Sequence, residues 1–132
     1  MNTVALWHEI VRDHDMDRLE ELLAEDCVFM SPVVHTPQKG RELTRAYLTA
    51  AFNVFNDSFC YVKEVVTPQH AVLEFVCDLD GIVINGVDIM TFDDAGKIVE
   101  FKVMVRPLKA VNLLHAKMQA MLEQGQTNKR GS

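Results

Sequence analysis

Of the side chains that can move protons, Asp88 keeps the least expected company. It lies in the run Ile82-Val83-Ile84-Asn85-Gly86-Val87-Asp88-Ile89-Met90-Thr91-Phe92, which reads as a β-strand. Strand side chains alternate between faces, so Asp88 shares its side with Ile82, Ile84, Met90 and Phe92. A carboxylate on an apolar side must be paired, protonated or lining a cavity, because burying the bare charge is very costly. Desolvated and without a counter-charge, its pKa rises, and it can donate a hydrogen bond to a carbonyl or a developing enolate. Beside an arginine its pKa falls, and it can serve as a base. A third reading is a structural carboxylate held by the Trp7 N–H, the Tyr47 O–H or an arginine.

His35, in the loop between Pro32 and Pro37, is the other candidate general base, expected at a pocket mouth. His8, His14, His70 and His115 read as exposed or partly exposed histidines. No His/Asp/Glu set has metal-ligand spacing such as HExxH, and neither a Gly-rich phosphate loop nor a Gly-x-Ser-x-Gly elbow occurs. No metal and no cofactor are therefore expected. Cys27, Cys60 and Cys77 are odd in number, widely spaced and placed in predicted strands, which argues against disulfides and reads as buried reduced thiols.

The elements that must position Asp88 follow from periodicity. Val4, Trp7, Ile10 and Val11 form one stripe and predict a helix over 3–13. Asp17-Arg18-Leu19-Glu20 has capping-box spacing, and Met16, Leu19, Leu22 and Leu23 continue an apolar face. A short strand over 27–31 ends at Pro32, and a loop runs to Gly40. A helix over 41–55 has an apolar face of Leu43, Ala46, Tyr47, Ala50, Ala51 and Val54, widened by Leu48, Phe52 and Phe55, and is expected to be covered on more than one side. Strands follow over 59–67, 71–79, 82–92 and 97–106, with Asp80-Gly81 and Asp93-Asp94-Ala95-Gly96 as turns and Gly86 as a turn or bulge glycine. In the last strand Val99, Phe101, Val103 and Val105 oppose Ile98, Glu100, Lys102, Met104 and Arg106. A final helix carries Leu108, Val111, Leu114, Met118 and Met121. One domain over 1–123 is expected, with a disordered tail over 124–132.

Helices, then successive antiparallel strands, then one helix predict an α+β domain with a curved sheet and helices on one face. The other face carries Val72, Val76, Val83, Val87, Ile89 and Met104 among Glu74, Glu100, Lys102 and Arg106. It is more apolar than a solvated face requires, and predicts a homodimer through the outer sheet. The chain's 132 residues suffice for one core, and 48% hydrophobic with 24% charged residues is an ordinary globular composition. A net charge of −6 repels phosphate backbones, so nucleic acid is not an expected partner. Apolar runs are too short to span a membrane, Met1-Asn2-Thr3-Val4 begins no signal-like segment, and the expected compartment is the cytoplasm.

Three stretches carry a family resemblance: the run from Asp15 to Asp26 that leads into a strand, Gly40 opening the long helix, and the run from Gly86 to Val99. Together they resemble the nuclear-transport-factor-2-like (cystatin-like) superfamily, and within it the SnoaL-like group of polyketide cyclases and ketosteroid-isomerase relatives. The resemblance spans about residues 4–110. It implies a conical domain, with N-terminal helices packed in the concave face of a strongly bent, mostly antiparallel sheet, plus a C-terminal helix. A deep pocket would open on the concave side. In ketosteroid isomerases the carboxylic acid of the oxyanion hole matches Asp88, and that acid is kept protonated by an apolar site. The family's general base, an aspartate before a proline, falls on Ser31, and its oxyanion-hole tyrosine falls on Trp7.

Alternation and resemblance together place Leu73, Phe75, Cys77, Asp88, Met90, Phe101, Val103 and Val105 in the pocket wall, joined by Trp7, Tyr47 and Ala51 from the helices, with Ser31 and His35 near the opening. The implied function is binding of a small hydrophobic carbonyl-type metabolite. Asp88 would act as acid, base or donor in isomerisation, cyclisation, dehydration or hydrolysis. The alternatives are a non-catalytic ligand-binding module and a dimeric interaction module.

Overall fold

The computed structural model describes residues 2–130, the side chains of 124–130 excepted. Helix α1 spans Thr3–Asp13; a 3-10 turn at Met16–Arg18 leads into the short α2, Leu19–Leu22. Strand β1 is Leu23–Met30, β2 is Gln38–Lys39, and α3 is Arg41–Val54. Then come β3 (Cys60–Val66), β4 (His70–Leu79), β5 (Ile82–Phe92) and β6 (Ile98–Arg106), and α4 spans Leu108–Arg130. The expected tail over 124–132 falls on that helix's last turns, whose side chains, like Gly131 and Ser132, lie outside the described residues.

The strands form one sheet in the order β2-β1-β6-β5-β4-β3. Pairing is antiparallel except between β1 and β6, which run parallel. The sheet is curved and unclosed, and the helices pack in its concave face, giving the expected α+β architecture. The register places whole rows of residues on one side. The row Glu64, Leu73, Asp88, Val103 faces inward, as do Val66, Ala71, Met90 and Phe101. Lys63, Glu74, Val87 and Met104 face outward.

α1 begins at Asn2, whose side chain accepts the Ala5 N–H at 3.1 Å. It ends at His14, in the left-handed region with φ 52°. It buries Trp7 and Ile10 completely against β1 and β6 residues. The β4–β5 hairpin turns on Asp80 and Gly81, both at positive φ (54° and 81°), as a two-residue hairpin demands.

Several expectations are corrected. The Asp17 capping box does not form; α2 is a single turn without a side-chain cap, and Asp17 instead pairs with Arg45 at 3.2 Å. β1 starts four residues earlier than expected, at Leu23 rather than at Cys27. In α3, Leu48, Ala50 and Val54 of the expected broad face are buried, but so is Thr44, while Leu43 and Ala46 are exposed. In β6 a register shift at Val99 lets both Ile98 and Phe101 turn into the core. An extra residue in one strand resets alternation, so Ile98 leaves the polar face on which strict alternation puts it. Cys60 is exposed, because it sits on the outer face of edge strand β3; Cys27 and Cys77 are buried. No helix among the described residues is long and apolar enough to cross a membrane.

Candidate functional site

Asp88 occupies the middle of β5, flanked by Leu73 on β4 and Val103 on β6. Neither neighbour offers a hydrogen bond or a charge, so only groups above the sheet can satisfy the carboxyl. Tyr61 on β3 does so: its hydroxyl donates to Asp88 Oδ2 at 2.5 Å. The Trp7 Nε1–H of α1 donates to the same hydroxyl at 3.0 Å. An indole N–H can only donate, so the phenol oxygen must accept it, and its own proton is directed at Asp88. The three side chains form a polarised chain from α1 through β3 to β5.

Asp88 is buried, with 6% of its surface exposed. Burial pushes its carboxyl up from 3.8 to about 7, and the Tyr61 hydrogen bond opposes that rise. Burial also drives the Tyr61 phenol well above 10, assisted by the charge of Asp88. The second oxygen, Oδ1, has no protein partner among the described residues and opens on a cavity.

That cavity has a volume of about 300 Å³. It lies between α1, α3, α4 and the concave sheet, and apolar side chains make up most of its wall. Phe75 covers one end, and its position depends on Gly86. A Cβ at residue 86 would stand 2.5 Å from Phe75 Cζ and 2.8 Å from the Met104 carbonyl oxygen. Gly86 is in regular register between Phe75 and Val105, so it is a close-approach glycine and not the turn or bulge glycine expected.

Of the residues expected at the site, Asp88, Trp7, Ser31, Phe75, Phe101, Val103 and Ala51 line the cavity. Tyr47 does not; its ring stacks on Phe29 at 5.4 Å, and Phe29 in turn stacks on Phe101. Met90 is fully buried one row beyond Asp88, packed in the core. Cys77 is held near the α3–β3 loop, its sulfur 3.4 Å from Ser58 Oγ. Val105 packs half-buried against the core group that holds Phe75, Ile84, Ala110 and Leu114. His35 is exposed in the β1–β2 loop and forms no part of the lining, because that loop carries Pro32 and Val33 inward instead. Ser31 Oγ accepts the Val33 N–H at 3.1 Å, so it braces this turn and has no basic partner.

Tyr61 is the side chain of this candidate site that pattern reading missed. The signal was faint: Phe59 and Tyr61 alternate on one face, but a register shift between Tyr61 and Lys63 breaks the alternation just beyond them. His14, Arg12, Asn56 and Asp57 are further polar members of the lining. Arg12 is engaged by Asp13 through two bonds, at 2.9 and 3.1 Å, and stands largely in solvent. Among the described residues no group of three His, Cys, Asp or Glu side chains converges as a metal site would.

Residues 4–101 match the model of the SnoaL-like domain family. The chain is similar to a steroid delta-isomerase from Pseudomonas aeruginosa, with 34% identity over 95% of this chain and 92% of that one, and a TM-score of 0.90. It is likewise similar to an uncharacterised protein with a cystatin-like fold from Silicibacter pomeroyi, with 34% identity, 90% and 84% coverage and a TM-score of 0.84. The epoxide hydrolase/cyclase-like enzyme SalBIII of salinomycin pyran-ring formation shares 18% identity over 79% of this chain and 88% of that one, with a TM-score of 0.64, a likeness of fold alone. No curated protein matches.

Proposed function

The chain belongs to the SnoaL-like domain family, and on that premise we propose that it binds a small, largely apolar carbonyl compound in the cavity and moves a proton beside that carbonyl. One observation carries the reading: a buried carboxyl, poised at about 7, has one oxygen tied to Tyr61 and the other facing an apolar void. A pocket of this kind, apolar with a few convergent polar points, suits a small molecule.

Near neutrality the carboxyl is present in both forms. Protonated, Asp88 donates to the carbonyl oxygen and stabilises charge that develops there. Ionised, it takes the proton from the carbon next to the carbonyl. The Trp7–Tyr61 chain holds the carboxyl in one orientation in either state. Isomerisation, cyclisation, dehydration and hydrolysis all draw on one of these two acts. The 34% identical relative is a steroid delta-isomerase, which supports a ketone among the substrates tried first.

A second reading, a binding module without turnover, is favoured by Ser31. The resemblance aligns this position with the family's base, yet it carries a hydroxyl that accepts the Val33 N–H and has no basic partner among the described residues. The test is a panel of β,γ-unsaturated ketones, followed by the absorbance of the conjugated product, with wild type and Asp88→Asn. Loss of turnover in the variant, with apolar-ligand affinity kept within a few-fold, is expected. Turnover that survives the substitution refutes the role of Asp88. A tightly bound hydrophobe with no turnover in wild type would establish the binding module.

A further inference from the structure

The aromatic residues of this chain are concentrated in one place. Six of its seven phenylalanines, its only tryptophan and one of its two tyrosines line the cavity. They form two linked groups. Phe59 stands 5.1 Å from Tyr61 and 5.0 Å from Phe75, centroid to centroid, and Trp7 stands 5.0 Å from Phe101 and 5.5 Å from Phe52. The Trp7–Tyr61 hydrogen bond joins the groups, and the chain ends on Asp88, whose other oxygen has no protein partner among the described residues.

Aromatic faces carry negative potential and attract cations, most strongly where water is excluded. The one buried charge-bearing group in the same wall is a carboxyl, with no cation bonded to it. Arg12, at the end of α1, is exposed and already satisfied by Asp13. The wall therefore offers aromatic rings and an acid without a counter-cation to whatever enters.

We propose that this cavity also takes lipophilic organic cations, with a tertiary or quaternary ammonium group seated against the aromatic faces and its charge balanced by the Asp88 carboxylate. The proposal rests on the cavity being the ligand site, as in the preceding reading, but needs no catalysis. It names a ligand class opposite in charge demand. A carbonyl needs the protonated acid as donor; an ammonium needs the ionised acid as partner.

The titratable and charged groups that share the cavity wall with Asp88 are Tyr61 from β3, which bonds it, Arg12 and His14 from the end of α1, and Asp57 from the α3–β3 loop; Glu64, in the same row on β3, is taken by His8. Asp88→Asn retains all of them, so any pH dependence they cause survives in that variant.

The experiment measures the binding of benzyltrimethylammonium and of its uncharged carbon isostere, neopentylbenzene, to the full chain. The quaternary nitrogen cannot lose a proton, so pH acts only on the protein. With a carboxyl midpoint of about 7, affinity limited to the ionised form rises about thirty-fold between about pH 5.5 and about pH 8.5. The expected result is a rise of at least about ten-fold for the cation in wild type, none in Asp88→Asn, and none for the isostere. Cation affinity that is flat or falls with pH overturns the proposal, as does the same rise in the variant. An isostere that binds while the cation does not overturns it too, and wild type alone suffices for that comparison. If a ketone binds and the cation does not, only this proposal falls; if no ligand of any class binds, the cavity reading falls with it.

Discussion

An acid whose pKa is raised by folding makes the fold weaken as pH rises, and Asp88 should do so measurably. The native chain holds its proton up to about 7, whereas an unfolded aspartic acid releases it near the ordinary value of 3.8. Between those values the native state binds more protons, so stability is full below the unfolded pKa and falls as pH climbs through the folded one. Each pH unit in that window is worth about 1.4 kcal/mol, so the whole window amounts to about 4 kcal/mol and the part above pH 5 to about 3 kcal/mol. Other carboxylates and histidines titrate too, and the comparison with Asp88→Asn isolates this one. The amide stays neutral and its oxygen can still accept from Tyr61. Urea unfolding of both proteins, repeated at half-unit steps from about pH 5 to about pH 8.5, should show the variant gaining up to about 3 kcal/mol relative to wild type. In thermal scans of a chain this size the gain is roughly 10 °C. A stability difference that does not change with pH would refute the argument, because it would mean that Asp88 ionises at the same pH in the folded and the unfolded chain.

Three other outcomes follow from the same geometry. Tyr61→Phe removes the one hydrogen bond that lowers the Asp88 pKa, so the midpoint of the carboxyl carbon's NMR titration should move above about 7; it also leaves the Trp7 N–H without its acceptor, at a cost of about 1–2 kcal/mol in denaturant unfolding. Gly86→Ala puts a methyl where Phe75 and the Met104 carbonyl already stand, and should destabilise by about 1–3 kcal/mol while reducing ligand affinity, because the ring can yield only into the cavity; an unchanged melting temperature would contradict the close approach. On the outer sheet Val65, Val83 and Met104 are more than half exposed, and a homodimer through this face predicts a dimer mass by light scattering that Met104→Asp halves; a monomeric wild type at micromolar concentration would count against the interface.

Alternation made the central residue legible. The strand from Ile82 to Phe92 sets Asp88 on the same side as Ile84 and Met90, and both neighbours are fully buried beside it. The helix–strand–helix order and the resemblance gave the architecture. What escaped was whatever depends on a shift of one residue. A bulge at Val99 turns Ile98 inward, and another beyond Tyr61 sends Lys63 out to Glu74 and Glu64 toward His8. Period-two reading cannot register an inserted residue, because both halves of the strand look regular alone. The same limit hid Tyr61. Nothing in one strand's pattern tells which residue two strands away reaches over Leu73 to the carboxyl. Tyr47 and Val105 show the converse: alternation and resemblance place both in the wall, yet Tyr47 stacks on Phe29, Val105 packs into the core beside α4, and neither lines the cavity.

The chain's single indole is bonded into the wall that surrounds the void, with 2% of its surface exposed. Its emission is thus a built-in optical probe that no other fluorophore of its kind obscures. Any occupant that displaces water near Asp88, or disturbs the Tyr61 hydroxyl, alters the surroundings of that one chromophore. Ligand screening on this protein can therefore proceed by intensity and wavelength alone, with unlabelled compounds of any class and no enzymatic readout.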